Sequence, residues 1–409
     1  MLAALAYAPA LTQPFIEDDY SNIILAQHYG PLSGWPEMLG NPVFRLRTTN
    51  WLELYGLNRL FGVHAAPYYA VTILLHIADT WLVFALGAWR PLGYRLTAWA
   101  ATFFAVYERH QEAVMWISGS AELLLVFFGL LSFLSWLRFL ESNGAVWYAA
   151  SLIFFCLALL SKESAVIFAA LLALPLVFDR SLRKRTALLT PFAVLAAVAT
   201  ASIFAASSRS FRFQDGSFSL HAPVWLIWPS NFAELFWVWG LTGLISILAW
   251  KPSGYKTLLA IALTWIGLSL IPYSFLTYSR MIPSRQTYLA SIGVAIVTGF
   301  ALLTFFERYW NSRKTLVAAV CAVIALQNIG YLWTKKRAQF LERAAPAQHL
   351  IDMARTTDRP IYVACFPRTR LQAESAVELM VPGKSGSGLV WDDQEAQERG
   401  AVRFCDSRP

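Results

Sequence analysis

Charge is scarce in this sequence. Only 14% of its 409 residues are Asp, Glu, Lys or Arg, against roughly 25% in a soluble domain. It has no Walker loop and no Gly-rich turn after a strand, which excludes the nucleotide-binding sites built on them. Internal repeats are not evident, so a solenoid or propeller is excluded too. Cysteine is limited to four residues, and none stands with His at the spacing of a zinc site. The N-terminus lacks the charged start and small-residue cleavage site of a signal peptide. Only eleven residues, Met1 to Leu11, precede Thr12, so the expected first helix is partial, or the true start lies upstream of Met1.

Apolar runs fill the space left by charge. Hydrophobic residues make up 57% of the chain, and the mean hydropathy is +0.48. The runs are about 15–25 residues long and are separated by short charged or Pro/Gly-containing segments, the spacing of membrane-spanning helices. They cover 1–12, 67–89, 96–107, 120–138, 146–161, 164–178, 187–206, 224–249, 257–276, 286–306 and 315–334. The expectation is an α-helical polytopic membrane protein of about 11 transmembrane helices, occupying 1–334. Its first loop, 13–66, carries Trp35, Trp51, Tyr55 and Phe61 among polar residues and should form short helices on the membrane surface. The net charge of +8 does not indicate nucleic acid, because the basic residues concentrate in short loops where the positive-inside rule puts them. Trp and Tyr, seventeen and sixteen in number, suit interfacial belts.

With the N-terminus in the cytoplasm, twelve Lys and Arg fall in inside loops, in clusters such as Arg180, Arg183, Lys184 and Arg185. Nine fall outside before residue 335, among them Arg209, Arg212 and Arg280. The outside segments collect isolated polar residues instead: Glu17, Asp18 and Asp19; Arg45; Glu108, His110 and Glu112; Lys162 and Glu163; Arg280 and Arg285. Acids and bases converging on one membrane face point to a site. Three consecutive carboxylates at the end of the first apolar run can act as a base toward a hydroxyl, bind a metal, or cap a helix.

From Lys335 the composition turns polar. Residues 335–355 read as an amphipathic helix leaving the last span. Residues 360–366 read as a strand, 372–379 as a helix and 402–405 as a short strand. Together, 335–409 is expected to be a small α/β appendage on the outer side. Cys365 and Cys405 each end an expected strand, and in an oxidising compartment they either pair or remain two buried thiols. Cys156 and Cys321, inside apolar runs, read as packing residues.

Several segments resemble the GT-C integral-membrane glycosyltransferases. The similarity is to the branch of the transmembrane-and-tetratricopeptide-repeat O-mannosyltransferases and their bacterial relatives. These segments are Phe44-Arg45-Leu46, Leu60-Phe61-Gly62-Val63 and Leu74-Leu75-His76. His110 to Gly119 is similar to the branch's His-x-Glu-Ala-Val-x-Trp-Ile-Ser-Gly, and Leu159 to Glu163 to its Leu-Leu-Ser-Lys-Glu. Arg285 to Gly293 is similar to Arg-x-x-Tyr-Leu-Pro-Ser-x-Gly, with Ala290 in place of Pro. Leu46 replaces a usual Pro, Tyr107-Glu108 a His-Pro, and Glu122 an Asp. The tetratricopeptide repeats are absent.

The resemblance implies a GT-C fold and transfer of a sugar from a polyprenyl-phosphate donor to an acceptor hydroxyl on the outer face, with inversion. It implies a base at Asp18 or Asp19, with Asp18 preferred, and an orienting acid at Glu112. Lys162 and Arg285, assisted by Arg45, would hold the donor phosphate. Glu17, His110, Glu163 and Tyr288 are further site candidates. A divalent cation is left open, as is the acceptor (glycan, lipid or protein). The implied location is the bacterial inner membrane, with the site periplasmic. Two other readings stand beside this one: a transporter or flippase for a lipid-linked sugar, and a non-catalytic relative that binds the lipid carrier.

Overall fold

The computed structural model describes residues 1–41, 43–205, 217–277, 283–384 and 386–407. Arg209, Arg212 and Arg280 lie outside the described residues. Each of the eleven apolar runs is helical. In chain order they form α1 (Leu2–Tyr7, continued by a 3₁₀ turn to Thr12), α5 (Ala65–Ala85), α6 (Gly93–Val106), α8 (Ser120–Ser142) and α9 (Ala145–Leu159). The next is a broken segment, 163–178, containing α10 (Phe168–Leu171) and α11 (Leu174–Phe178). Then come α12 (Thr190–Ala205), α13 (Val224–Trp250), α14 (Tyr255–Leu270), α15 (Ser291–Tyr309) and α16 (Lys314–Tyr331). Among the described residues, seven helices are long and apolar enough to cross a membrane, and 2–12, 145–159 and 163–178 are shorter apolar helices. The first loop holds α2 (Asp18–Tyr29), α3 (Trp35–Gly40) and α4 (Thr48–Phe61).

Large apolar side chains such as Phe103, Phe133, Trp136 and Trp265 fill the spaces between helices, and small residues stand where two helices approach most closely. A Cβ on Gly299 of α15 would lie 2.6 Å from the Ala100 backbone nitrogen of α6, so these helices touch backbone to backbone. The only buried side chains of α12 are Phe192 and Ala199. Its remaining apolar surface faces outward, where lipid satisfies it. Helix α13 contains Pro229 and departs from helical geometry at Trp237 (φ 43°, ψ −151°), so it kinks rather than running straight.

Charged groups separate to two ends. At one end Arg95 pairs with Glu307 at 2.9 Å, and Arg185 donates to the Leu140 carbonyl at 3.0 Å. The acidic stretch, 108–122, 160–163, 284–288 and the tail meet at the other end.

The last apolar helix does not stop at the boundary. Residues 314–356 are continuously helical, through a π-helical turn at 332–336 into α17 (Arg337–Thr356). Forty-three residues at about 1.5 Å each reach well beyond a bilayer core of roughly 30 Å. The helix lies alongside the N-terminal segment in step. Trp333 donates to the Leu5 carbonyl at 2.9 Å, Arg337 to Thr12 at 3.4 Å, and Gln348 to the Tyr20 hydroxyl at 2.8 Å.

Beyond it the tail is α/β. Strands β1 (Ile361–Cys365), β2 (Leu389–Val390) and β3 (Val402–Cys405) pair in parallel in the order β2-β1-β3. The other tail helices are α18 (Arg370–Met380) and α19 (Asp393–Glu398). Thr369 and Gln372 form a reciprocal capping box at the start of α18. Cys365 and Cys405 are bridged, with Cα atoms 4.5 Å apart.

Candidate functional site

The acidic stretch opens α2, and its three carboxylates part company at once. Asp19 is fully buried. Its Oδ2 accepts from the Ile16 amide at 2.9 Å, and its Oδ1 accepts from the Ser118 amide at 2.8 Å and hydroxyl at 2.6 Å. Burial pushes its carboxyl up to about 7, against the pull of those donors. Asp18, half-buried, accepts from the Gln372 amide at 2.6 Å. Glu17 stands at φ 49°, a region costly for a residue with a Cβ. Its carboxylate holds it there. Arg343 donates to it through Nε at 3.0 Å and Nη2 at 2.6 Å, and Arg368 Nε lies 2.8 Å away. Burial raises the Glu17 carboxyl, but the two guanidiniums outweigh it and hold it below its ordinary value.

The short helix α7 (Gln111–Val114) and the 3₁₀ turn after it bring Glu112 and Trp116 to this stretch. The Trp116 indole donates to the Ile16 carbonyl at 3.2 Å. Two guanidiniums lie against its ring: Arg285 at 4.5 Å from the centroid and Arg343 at 4.7 Å. Glu112 sits between these arginines, 3.9 Å from Arg285 Nη1 and 3.7 Å from Arg343 Nη1. Glu17, Glu112, Arg285, Arg343 and Arg368 thus form one chain of alternating charge, with Asp18 and Gln372 at its edge.

Lys162 belongs to a second cluster. Its ammonium bonds Glu122, which also accepts from the Tyr273 hydroxyl at 3.0 Å. Ser164 closes on Tyr273 at 3.1 Å. Glu163 pairs with Arg47 at 3.0 Å. Nearby, Ser120 donates to Glu53 at 2.8 Å and accepts from Asn50 at 2.8 Å. Arg45 shares a 3₁₀ turn with Arg47, and its carbonyl accepts from Thr48 at 2.7 Å. The clusters adjoin through one segment, since Ser118 touches Asp19 and Glu122 lies one helical turn further on.

His110 and Tyr288 are fully buried behind the site. His110 Nε2 lies 2.7 Å from the Ser291 hydroxyl. The Tyr288 hydroxyl donates to Asp79 at 2.9 Å and lies 2.8 Å from His76 Nδ1. This buried knot anchors the turn 284–288 that carries Arg285. Among the described residues, no three His, Cys, Asp or Glu side chains converge in a metal-ligating group.

The residues of the first cluster that the sequence did not single out are Trp116, Arg343, Arg368 and Gln372. Trp116 stood within a quoted motif. No sequence pattern connects the other three to Glu17, since the contacts span more than three hundred residues.

Two solved structures share this architecture. One is ArnT from Cupriavidus metallidurans bound to undecaprenyl phosphate, with a TM-score of 0.56 at 11% identity, covering 98% of this chain and 88% of that one. The other is the archaeal oligosaccharyltransferase AglB from Archaeoglobus fulgidus with an inhibitory peptide and a dolichol-phosphate. Its TM-score is 0.55 at 11% identity, covering 93% of this chain and 63% of that one. The fold is GT-C. In sequence, this chain is 33% identical over 138 residues to the human protein O-mannosyl-transferase TMTC4. That alignment takes in 29% of this chain and 18% of the human protein's length. No family model matches.

Proposed function

We propose that this protein transfers a sugar from a polyprenyl-phosphate-linked donor to an acceptor hydroxyl at the outer face of a membrane, the bacterial inner membrane being the expected setting. The observation that supports this reading is the ionic chain from Arg285 through Glu112 and Arg343 to Glu17, the residue next to Asp18, at one end of a helical bundle with the GT-C fold. The fold neighbours support it, one bound to undecaprenyl phosphate and one to a dolichol-phosphate.

In the proposed reaction the acceptor oxygen attacks the anomeric carbon opposite the lipid phosphate. The new carbon–oxygen bond forms as the bond to phosphate breaks, which inverts the anomeric centre. The acceptor's proton passes to Asp18. Asp18 suits the base better than Asp19, because Asp19 is enclosed and both its oxygens are engaged by Ile16 and Ser118. Asp18 keeps one oxygen beyond its single bond to Gln372. Arg285 offers fixed positive charge to the departing phosphate, and Glu112, beside it, orients the acceptor. The assay is transfer from a panel of polyprenyl-phosphate sugars in membranes containing the protein. Asp18→Asn is expected to lower turnover on the order of a hundredfold, the scale of a lost general base. Full activity in Asp18→Asn at normal expression would remove the assignment.

A second reading, a carrier-binding protein without transferase activity, is favoured by one feature. Glu17, Asp18 and Asp19 all have partners, and three of those partners, Arg343, Arg368 and Gln372, come from the tail. Binding of polyprenyl phosphate with no transfer from any donor would select that reading.

A further inference from the structure

Among the described residues, Arg285 and Arg343 are unlike the other arginines in sharing one aromatic ring and one carboxylate. Their guanidiniums lie 4.5 and 4.7 Å from the Trp116 centroid. Stacking of this kind fixes the plane of each fork and the direction of its donors. Their common partner Glu112 is 3.9 and 3.7 Å away, well outside the roughly 2.7–2.9 Å of a charge-assisted hydrogen bond. Neither guanidinium is committed to it, and the hold Glu112 has on Arg285 is through the backbone amide, at 3.4 Å. Both side chains are about a quarter exposed, 24% and 22%, and so accessible from outside.

Lys162 offers the opposite case. It is 7% exposed and bonded to Glu122. Turning it toward a ligand would strand a buried carboxylate. Arg343, by contrast, is already aimed. Its Nε and Nη2 are held by Glu17, which leaves Nη1 on the Glu112 side. The height of Arg343 above the membrane is set by the continuous helix 314–356, pinned to the N-terminal segment at Leu5, Thr12 and Tyr20. It stands at the level of the acidic stretch, against Glu17.

We infer that the tail completes the anion site: Arg343 joins Arg285 over Trp116 as a two-guanidinium seat for the phosphate of a polyprenyl-phosphate carrier. This rests on the donor class proposed above. The phosphomonoester of the carrier carries more charge than one carboxylate and presents oxygens to both forks, so it takes the place Glu112 holds between them. Arg368 keeps Glu17 occupied from the other side, which stabilises the posture of Arg343.

The test is calorimetric titration of the full-length protein in detergent with a short-chain polyprenyl phosphate, the matching polyprenol and inorganic phosphate. Arg343→Gln is expected to raise the Kd for polyprenyl phosphate by about tenfold or more, the scale of one lost charged hydrogen-bonding partner. Polyprenol binding is expected to be unchanged. Arg343→Lys, which keeps the charge without the fork, is expected to fall between. Arg370→Gln, on the exposed face of the tail, serves as the control and leaves the Kd unaltered. Inorganic phosphate is expected to bind weakly and to lose that binding in Arg343→Gln. Tighter binding of inorganic phosphate than of the lipid would overturn the lipid assignment. A wild-type Kd in Arg343→Gln with an unchanged melting temperature overturns the seat. If Arg343→Gln does not fold, undiminished affinity in Arg343→Lys does the same. Sugar transfer separates the two proposals. If no donor is used, the proposed function fails while an Arg343-dependent Kd stands. An unchanged donor KM in Arg343→Gln sinks only the seat.

Discussion

Two ionic clusters adjoin at one end of this bundle, built from similar residues and different in kind. Around Glu122, Lys162 and Tyr273 the partners are buried and in full hydrogen-bond contact. Around Glu112, Arg285 and Arg343 they are less than a quarter exposed and nearly 4 Å apart. A buried pair must be complete, because each charge left over keeps its whole desolvation penalty. A looser, partly wet cluster tolerates exchange of one anion for another. The contrast separates charge that holds helices together from charge that can receive a ligand.

The largest expected break in that contrast is Lys162→Met. It leaves Glu122 buried without a counter-charge and should cost about 3–5 kcal/mol of stability, read from thermal or denaturant unfolding in detergent. The double variant Lys162→Met/Glu122→Gln should recover a large part of this loss. If Lys162→Met instead keeps its melting temperature and loses only donor affinity, the clusters have been assigned the wrong way round.

A pH series tests the buried side of the acidic stretch. Asp19 titrates at about 7 when folded because of its burial, against about 4 for a free carboxyl. The folded state therefore holds a proton that the unfolded state has released between these values. Stability should be full below about 4 and should fall as pH rises through 7. Melting temperatures from pH 4 to 8 should slope downward in the wild type and less so in Asp19→Asn.

The tail gives a comparable effect by other means. Loss of the Cys365–Cys405 bridge, whose residues are forty apart in sequence, should destabilise the tail by about 2–4 kcal/mol. Protease sensitivity should rise first beyond residue 356, and donor affinity should fall with it, since Arg368 and Gln372 lie just past Cys365. Unaltered donor affinity in Cys365→Ser would make the tail's contacts with Glu17 and Asp18 incidental.

The smallest effect on stability sharpens the comparison from the other side. Arg285→Gln should shift stability by no more than about 0.5 kcal/mol, as for other residues outside the buried network, while weakening polyprenyl-phosphate binding about tenfold. Glu112→Gln removes the anion that competes for both arginines, so affinity for the phosphate should rise a fewfold even as turnover falls.

Much of the fold was legible because it depends on local composition. Apolar runs become helices wherever lipid is the solvent, since every backbone donor must be satisfied within the segment. The strand–helix–strand alternation of the tail was equally local, and so were the strand ends that bring Cys365 and Cys405 together. The two-residue strand β2 and the six-residue helix α19 were too short to leave a periodicity. Arg285 and Glu112 were found as isolated polar residues between apolar runs. Arg343 was not, because an arginine on a polar helix ordinarily faces water, and nothing near it names Glu17 as its partner.

By itself, then, the sequence determined that this chain is a membrane bundle with a small α/β tail, and that its acids and bases gather at one end. Hydropathy and charge placement act over tens of residues, and the bilayer converts them directly into helices and faces. Only the tertiary structure decided which cation meets which acid. Lys162 goes to Glu122, Arg47 to Glu163, and Arg343 reaches across 326 positions to Glu17. The physical reason is that ion pairing depends on distance and burial, and both are set here by helix packing and by one helix that runs on past the membrane without a break.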